Sequence, residues 1–393
     1  MSRALQGIKV VELSHVVTGP FCGMLLADMG ADVIKIERPG KGEFYRSEGK
    51  KNQRGVSLIY PSYNRNKKGV TLNIQASQAK EILFGLIKDC DIFIENYKPG
   101  LLKRLGMGYD ELKKINPSLI MVSISGFGQT GPFADHLAYD MTITAISGVM
   151  SVSGWPDEPM RSGVSMVDFA AGMYGAISAL GALRHRENTG EGQYIDISMM
   201  ETAMSYLDAY LAENKFTDVE PRGVGNRRPN YAPLNLFPTN DGNIMISCLT
   251  ESHWHKLTEL MERKDLIDVP GYETALDRKR NQEGLEKIIA DWTKEFSTDE
   301  LAKKLEEIGI PSAPVLSVRQ VIKHPQVIAR ESILEFDYPE IGAYPTARFV
   351  PRFSTLEVPE IRAPLLGEHN NEIYGRLGYS AEEIEKLHKD GVI

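Results

Sequence analysis

One acid, Asp168, stands in a setting where a carboxylate could serve as a nucleophile. It lies in Gly163-Val-Ser-Met-Val-Asp168-Phe-Ala-Ala-Gly-Met-Tyr-Gly175, which runs on as Ala-Ile-Ser-Ala-Leu-Gly-Ala-Leu-Arg184. Phe169, Met173, Ile177, Leu180 and Leu183 recur at helical spacing, so the stretch after Asp168 is predicted to be a helix. Ala171, Gly172, Gly175 and Ala179 narrow one flank of it. Glycines lower helix propensity, a cost accepted where another backbone must approach closely. Asp168 then falls at the helix N-cap, where its carboxylate could satisfy orphan N–H groups. It could equally be a nucleophile, with those N–H groups stabilising the negative charge that develops. The pattern by itself leaves both uses open.

The elements that must position such an acid alternate along the chain. Ile8–Leu13 is a β-branched run and a buried strand candidate, followed by a loop Ser14–Pro20 and a helix Phe21–Met29 that Gly30 stops. Ala31–Glu37 is a second strand, which makes a strand–helix–strand unit with a parallel pair. Asn64-Arg-Asn-Lys-Lys-Gly69 is a basic turn leading into a strand Val70–Ile74, and Ala79–Leu86 is a helix. Further strands are expected at Asp91–Asn96 and Leu119–Ser125, with a helix at Met141–Met150. The loop after the first strand lacks G-x-G-x-x-G, so a dinucleotide cradle is not expected. In open α/β sheets ligands sit off the C-terminal strand ends, where Val16, Arg38, Asn96, Tyr97 and Lys98 fall. Cations beside aromatic and aliphatic faces suit an adenine-bearing polyanion.

Composition narrows the partners. A net charge of -8 argues against nucleic acid, whose phosphates need a basic face. Three scattered cysteines, Cys22, Cys90 and Cys248, show no metal-ligand spacing and suit a reducing compartment. The N-terminus lacks the charged start and apolar run of a signal peptide, and no apolar stretch is expected to approach the ~20 residues of a membrane span. The expectation is a cytoplasmic enzyme without metal or membrane. Helices at Glu201–Asn214, His253–Arg263, Gln282–Phe296 and Thr298–Ile308 dominate the second half, with a strand at Asn243–Leu249. Ser297 and Glu300 are spaced as a capping box, and Glu259 and Arg263 as a surface pair.

Asp168 with its Gly-rich follow-on, Thr189-Gly-Glu-Gly192-Gln-Tyr-Ile-Asp-Ile-Ser198, the loop Gly126–Pro132, and Ala363-Pro-Leu-Leu-Gly367-Glu-His369 resemble the class III CoA-transferases. That family includes formyl-CoA and carnitine CoA-transferases, and the alpha-methylacyl-CoA racemases are related to it. The resemblance runs from Leu5 to Ile393. It implies that Asp168 is the nucleophile, with Tyr139 and Asp140 in support. It implies CoA contacts from Val16, Val17, Thr18, Arg38, Leu72, Gln75, Asn96, Tyr97 and Arg104. It also implies two chains threaded through one another as an interlocked homodimer. CoA and acyl-CoA enter as substrates alongside a carboxylic acid, and no tightly bound cofactor is implied. The racemase branch has a His where Tyr139 stands, which argues against racemisation. The glycine-rich lid of the formyl-CoA branch is reduced to Gly223 and Gly225, which weakens the case for formate and oxalate.

The expected fold is α/β: a Rossmann-like, discontinuous parallel-sheet large domain and a smaller α+β domain. The boundaries are 1–200 for the first part of the large domain, 201–229 for a linker, 230–315 for the small domain and 316–393 for the return. The expected reaction moves CoA from an acyl-CoA to a free acid through an aspartyl anhydride and an aspartyl-CoA thioester at Asp168. The alternatives are an alpha-methylacyl-CoA racemase-like isomerase and a CoA-binding protein without chemistry. His369, with no partner evident in sequence, is expected to order the tail rather than to react.

Overall fold

Val10, Val11 and Leu13 are apolar on both sides of one strand, so burying all three requires cover on both faces. The computed structural model describes residues 2–339 and 341–393. Met1, at the head of the expected large domain, and Glu340 lie outside the described residues. The chain forms β1 (Lys9–Leu13), α1 (Thr18–Asp28), β2 (Asp32–Glu37), β3 (Lys67–Thr71), α2 (Ala79–Ile87), β4 (Ile92–Glu95), β5 (Ile120–Ser125), α3 (Asp140–Ile146), α4 (Met166–Thr189) and β6 (Tyr194–Ser198). These strands make one six-stranded sheet in the order β3-β2-β1-β4-β5-β6, every neighbour parallel. The expected α/β, Rossmann-like sheet is what forms, and its order reverses between β1 and β4.

One face of the sheet, with Val11, Leu13, Phe93 and Met121, is covered by α2 and by the C-terminal helices α5 (Asn370–Arg376) and α6 (Ala381–Lys389). The return of the tail is fixed there by Tyr374, Ile384 and Leu387, all buried. His369 orders it as well, its Nδ1 accepting from the Gly69 amide at 3.1 Å. The other face, with Val10, Ile94, Val122 and Ile124, is covered by α1 and α4.

The basic run expected as a turn is instead part of the core. The strand starts at Lys67, and both Arg65 and Lys67 are buried. Glu12 on β1 accounts for this: it pairs with Lys67 at 2.7 Å and with Lys35, its β2 neighbour in register, at 2.9 Å. Arg65 forks onto the buried carboxylate of Asp28 with hydrogen bonds of 2.9 and 2.6 Å. Removing one partner from such a buried cluster leaves an uncompensated charge, at roughly 3–5 kcal/mol.

Helix α4 docks by its small residues. A Cβ added at Gly172 would lie 2.8 Å from the Thr18 carbonyl oxygen, and one at Gly175 would lie 3.0 Å from Cys22 Sγ. Only bare backbone fits at Gly172. The larger residues turn outward, Met173 at 44% and Ile177 at 63% exposure. The expectation that nothing approaches a membrane span is corrected here, since Met166–Thr189 is long and apolar enough by length and composition. Half of its most apolar window is nevertheless buried inside the fold, where it serves as a core helix.

The chain divides into two compact units. The larger comprises residues through Val149, Ser162–Ala212 and Glu331–Ile393; the smaller comprises Met150–Arg161 and Glu213–Arg330. Residues 316–330 therefore group with the smaller unit rather than with the return segment. That unit has an antiparallel sheet of Leu234–Pro238, Asn243–Ser247 and Ser312–Pro314. Its helices bury Trp254, Leu257, Leu285, Ile289, Leu301 and Leu305. Ser297 accepts from the Glu300 amide as a cap. The helix over Glu251–Leu260 ends before Arg263, so Glu259 pairs with Lys264 and Arg263 with Asp265 instead of with each other.

Candidate active site

Asp168 is not the cap of its helix. Helix α4 begins two residues earlier, so Asp168 occupies the third position of the first turn. The capping carboxylate comes from elsewhere: Asp140, at the start of α3, accepts from the Val167 amide at 2.9 Å and the Asp168 amide at 3.2 Å. Those amides are thereby occupied, which corrects the expectation that they face the charge on Asp168. Asp168 is only 9% exposed, and among the described residues no protein donor hydrogen-bonds its carboxylate. Burial, and after it the charge of Asp140, push its pKa up to about 7. Capping, one of the two uses the sequence left open for Asp168, thus falls to Asp140.

Aromatic rings wall this carboxylate. Phe169 meets Phe21 edge-on at 4.9 Å and Tyr63 at 5.7 Å, and Tyr45 lies 6.3 Å from Tyr63. Burial and then neighbouring phenols raise Tyr63 to about 12, with Asp168 adding to the effect. Tyr45 is raised as well, by burial and then by Asp168. Both tyrosines therefore stay neutral beside the acid, without hydrogen-bonding to it. Tyr139, implied by the resemblance to support the acid, is 60% exposed and stands at the N-cap of α3, its amide donating to Thr142 Oγ1 at 2.9 Å.

The CoA residues implied by resemblance fall into three groups. Arg38, Leu72, Gln75 and Tyr97 line one cavity of about 420 Å³ with Leu13 and Leu101. A cation, an aromatic ring and aliphatic walls come together there, off the C-terminal ends of β1, β2 and β3. Val16, Val17, Thr18 and Asn96 form the crevice between β1 and β4, where the strand order reverses. Asn96 latches this crevice: its Oδ1 accepts from the His15 amide at 2.9 Å, while its Nδ2 donates to the His15 carbonyl at 2.7 Å and to Thr18 Oγ1 at 2.9 Å. Asn96 therefore holds the loop rather than presenting its amide to solvent, and Val17 is buried. Lys98 and Arg104 are exposed and stand outside the cavity wall, Lys98 within 3.6 Å of Asp135. Among the described residues, no group of three or more His, Cys, Asp or Glu could hold a metal.

Sequence reasoning missed Tyr45, Tyr63 and Glu43. Their contacts are with residues 27 or more positions away or on other elements, and no periodicity or motif joins such partners. The His15–Tyr97 ring contact at 5.0 Å is equally long-range.

The model of CoA-transferase family III matches residues 5–370. The chain is 35% identical over 395 residues to the succinyl-CoA–D-citramalate CoA-transferase of Chloroflexus aurantiacus, covering 100% of this chain and 98% of that one. It is 33% identical over 394 residues to the succinyl-CoA:glutarate CoA-transferase of Homo sapiens, covering 100% and 90%. The crystal structure of a CAIB/BAIF family protein from Brucella suis superposes with a TM-score of 0.88 at 33% identity, covering 96% of this chain and 100% of that one. With a family match over nearly its whole length, this chain belongs to CoA-transferase family III and is an acyl-CoA:carboxylate CoA-transferase.

Proposed function

We propose that the chain passes CoA from succinyl-CoA to a small dicarboxylic acid through covalent intermediates on Asp168. The donor and acceptor classes follow the named activities of similar proteins, which use succinyl-CoA with D-citramalate or glutarate. The single observation that carries the mechanism is the Asp168 carboxyl itself: buried, without a donor, and raised to about 7. A carboxylate that no hydrogen bond stabilises is more reactive toward an acyl carbon than one in water.

The sequence of steps is as follows. Ionised Asp168 attacks the donor carbonyl carbon, the C–S bond breaks, and CoA leaves as thiolate with a mixed anhydride formed. The thiolate attacks the aspartyl carbonyl and expels the donor acid as its carboxylate, leaving an aspartyl-CoA thioester. The acceptor carboxylate attacks that thioester and releases the thiolate again. The thiolate then attacks the acceptor's carbonyl carbon in the new anhydride, which frees the product thioester and Asp168. Once Asp168 is ionised, each nucleophile in the sequence is an anion, so no step needs a metal or a general base. Both covalent species hydrolyse if water enters, a reason for the aromatic wall of Phe169, Tyr63 and Tyr45.

CoA lies across the crevice at Val16–Thr18, its adenosine and phosphates toward the cavity of Arg38, Leu72, Gln75 and Tyr97. The exposed apolar face of α4, with Met173, Tyr174 and Ile177, is the kind of surface that a second chain in an interlocked homodimer would cover.

The test is Asp168→Asn. Turnover of succinyl-CoA with glutarate or citramalate should fall at least ~10³-fold, the scale for removing a nucleophile. Hydroxylamine added during wild-type turnover should tag the Asp168 peptide and no other. Retained turnover in the variant would remove the assignment.

A further inference from the structure

Val16 adopts a backbone conformation that a β-branched residue avoids. Its φ is +66°, in the left-handed region where Cβ crowds the backbone. Such strain persists only where the surroundings hold it, and an observed outlier is a reason to look for function. Here the holder is visible. The Val16 amide donates to Glu43 Oε2 at 2.9 Å, across 27 residues of sequence.

Glu43 is built to be immobile. It is only 7% exposed, and its own amide donates to Glu37 Oε2 at 3.1 Å. Glu37 is in turn gripped by Arg46 through two hydrogen bonds of 2.7 Å and by the Tyr60 hydroxyl at 3.0 Å. The second carboxylate oxygen, Oε1, is buried without a hydrogen-bond partner. A buried acid held this firmly, with one oxygen committed to a strained amide, is expensive unless the amide's position matters.

That position bears on the reaction centre by a short path. Thr18 follows Val16 by two residues, and its carbonyl oxygen lies against Gly172, one turn after Asp168 on α4. The same loop is latched by Asn96. We propose that Glu43 is a positioning residue: by holding Val16 left-handed, it fixes the crevice loop that receives CoA relative to the helix that carries Asp168. This rests on the reading of that loop as the CoA site and of Asp168 as the nucleophile.

A double-variant cycle tests it on the full-length protein, with the dissociation constant of CoA from calorimetry as the readout and melting temperature as the control for folding. Glu43→Ala should weaken CoA by about 10–100-fold, matching the ~1–3 kcal/mol of one strained backbone conformation released. Glycine takes the left-handed conformation without strain. In a Val16→Gly background, Glu43→Ala should therefore weaken CoA less than about threefold further. A purely structural role for Glu43 would give equal losses in both backgrounds, and that result overturns the proposal, as does an unchanged affinity in Glu43→Ala. Should Glu43→Ala not fold, Glu43→Leu, which fills the space but cannot accept from the Val16 amide, carries the same cycle, and Val16→Gly must again shrink its effect. Turnover of Asp168→Asn, measured in parallel, keeps the two readings apart. An active Asp168→Asn removes the nucleophile whatever the cycle shows, whereas an inert one with equal losses removes Glu43 alone.

Discussion

Replacing Asp168 with Asn should change how stability depends on pH, and in a direction opposite to the usual carboxylate. A salt-bridged acid has a depressed pKa and stabilises the fold above it. Asp168 is raised, from 3.8 in the unfolded chain to about 7 in the fold. Below pH 3.8 both states hold the proton and nothing is lost. As pH rises through that window the unfolded chain releases its proton first, so the fold loses stability until pH passes 7. The shift is about three pH units at ~1.4 kcal/mol each, so the full loss is ~4 kcal/mol, of which roughly 2.5 falls between pH 5 and pH 8. A buried charge in the first turn of a helix gains at most ~2 kcal/mol from the helix dipole, so burial and Asp140 outweigh it. Asp168→Asn does not titrate. Its melting temperature should therefore rise relative to wild type by about 3 °C on going from pH 5 to pH 8, by the usual scaling for a chain of this size. Differential scanning calorimetry across that range is the assay. Asp140→Asn supplies a second arm, because its side-chain oxygen can still accept from the Val167 and Asp168 amides while the charge is gone. The pH-dependent loss should shrink in that variant without vanishing, since burial is the larger cause. Parallel wild-type and Asp168→Asn curves would refute the reasoning, and with it the picture of a buried acid that no donor stabilises.

Two further outcomes are expected. Arg38→Ala should weaken CoA binding by ~1–3 kcal/mol, the range for one charge-assisted hydrogen bond, and high salt should shrink the effect because Arg38 is exposed; unchanged affinity at low salt would take Arg38 out of the site. Sedimentation analysis should find a dimer with the Met173 and Ile177 face of α4 covered, whereas a monomer at micromolar concentration would leave that face without its proposed partner.

How much of this was legible beforehand depends on the range of the interaction. Local signals read well. The β-branched runs at Val10, Val33, Ile94 and Val122 became strands, and Gly30 ended α1 at a φ of +98°. Cross-strand pairing did not read. Asn64–Gly69 has the composition of a surface turn, and only the register that sets Glu12 beside Lys35, with Lys67 on the next strand, turns it into core. Periodicity found the α4 helix, yet the residues that make it amphipathic by size are Ala171, Gly172, Gly175 and Ala179, not Met173 and Ile177. The reason is the close approach of Thr18, a tertiary fact that the helix sequence hints at through its glycines but cannot specify.

The same limit explains the acid. An Asp before a helical run is most simply a cap, and a cap has its charge neutralised by amides, which would make it a poor nucleophile. On the proposed reading the conflict is removed because the cap comes from another helix of the same chain: Asp140, 28 residues earlier, takes the Val167 and Asp168 amides. That frees the Asp168 side chain from local hydrogen bonds and places a second negative charge near it, so that capping the helix and raising the acid's proton affinity are one arrangement. Environments that push two neighbouring carboxylates apart are a general way of assigning them different tasks. Here the assignment is set by which of the two reaches the helix amides, and that is decided by the packing of α3 against α4, not by either residue's own sequence context.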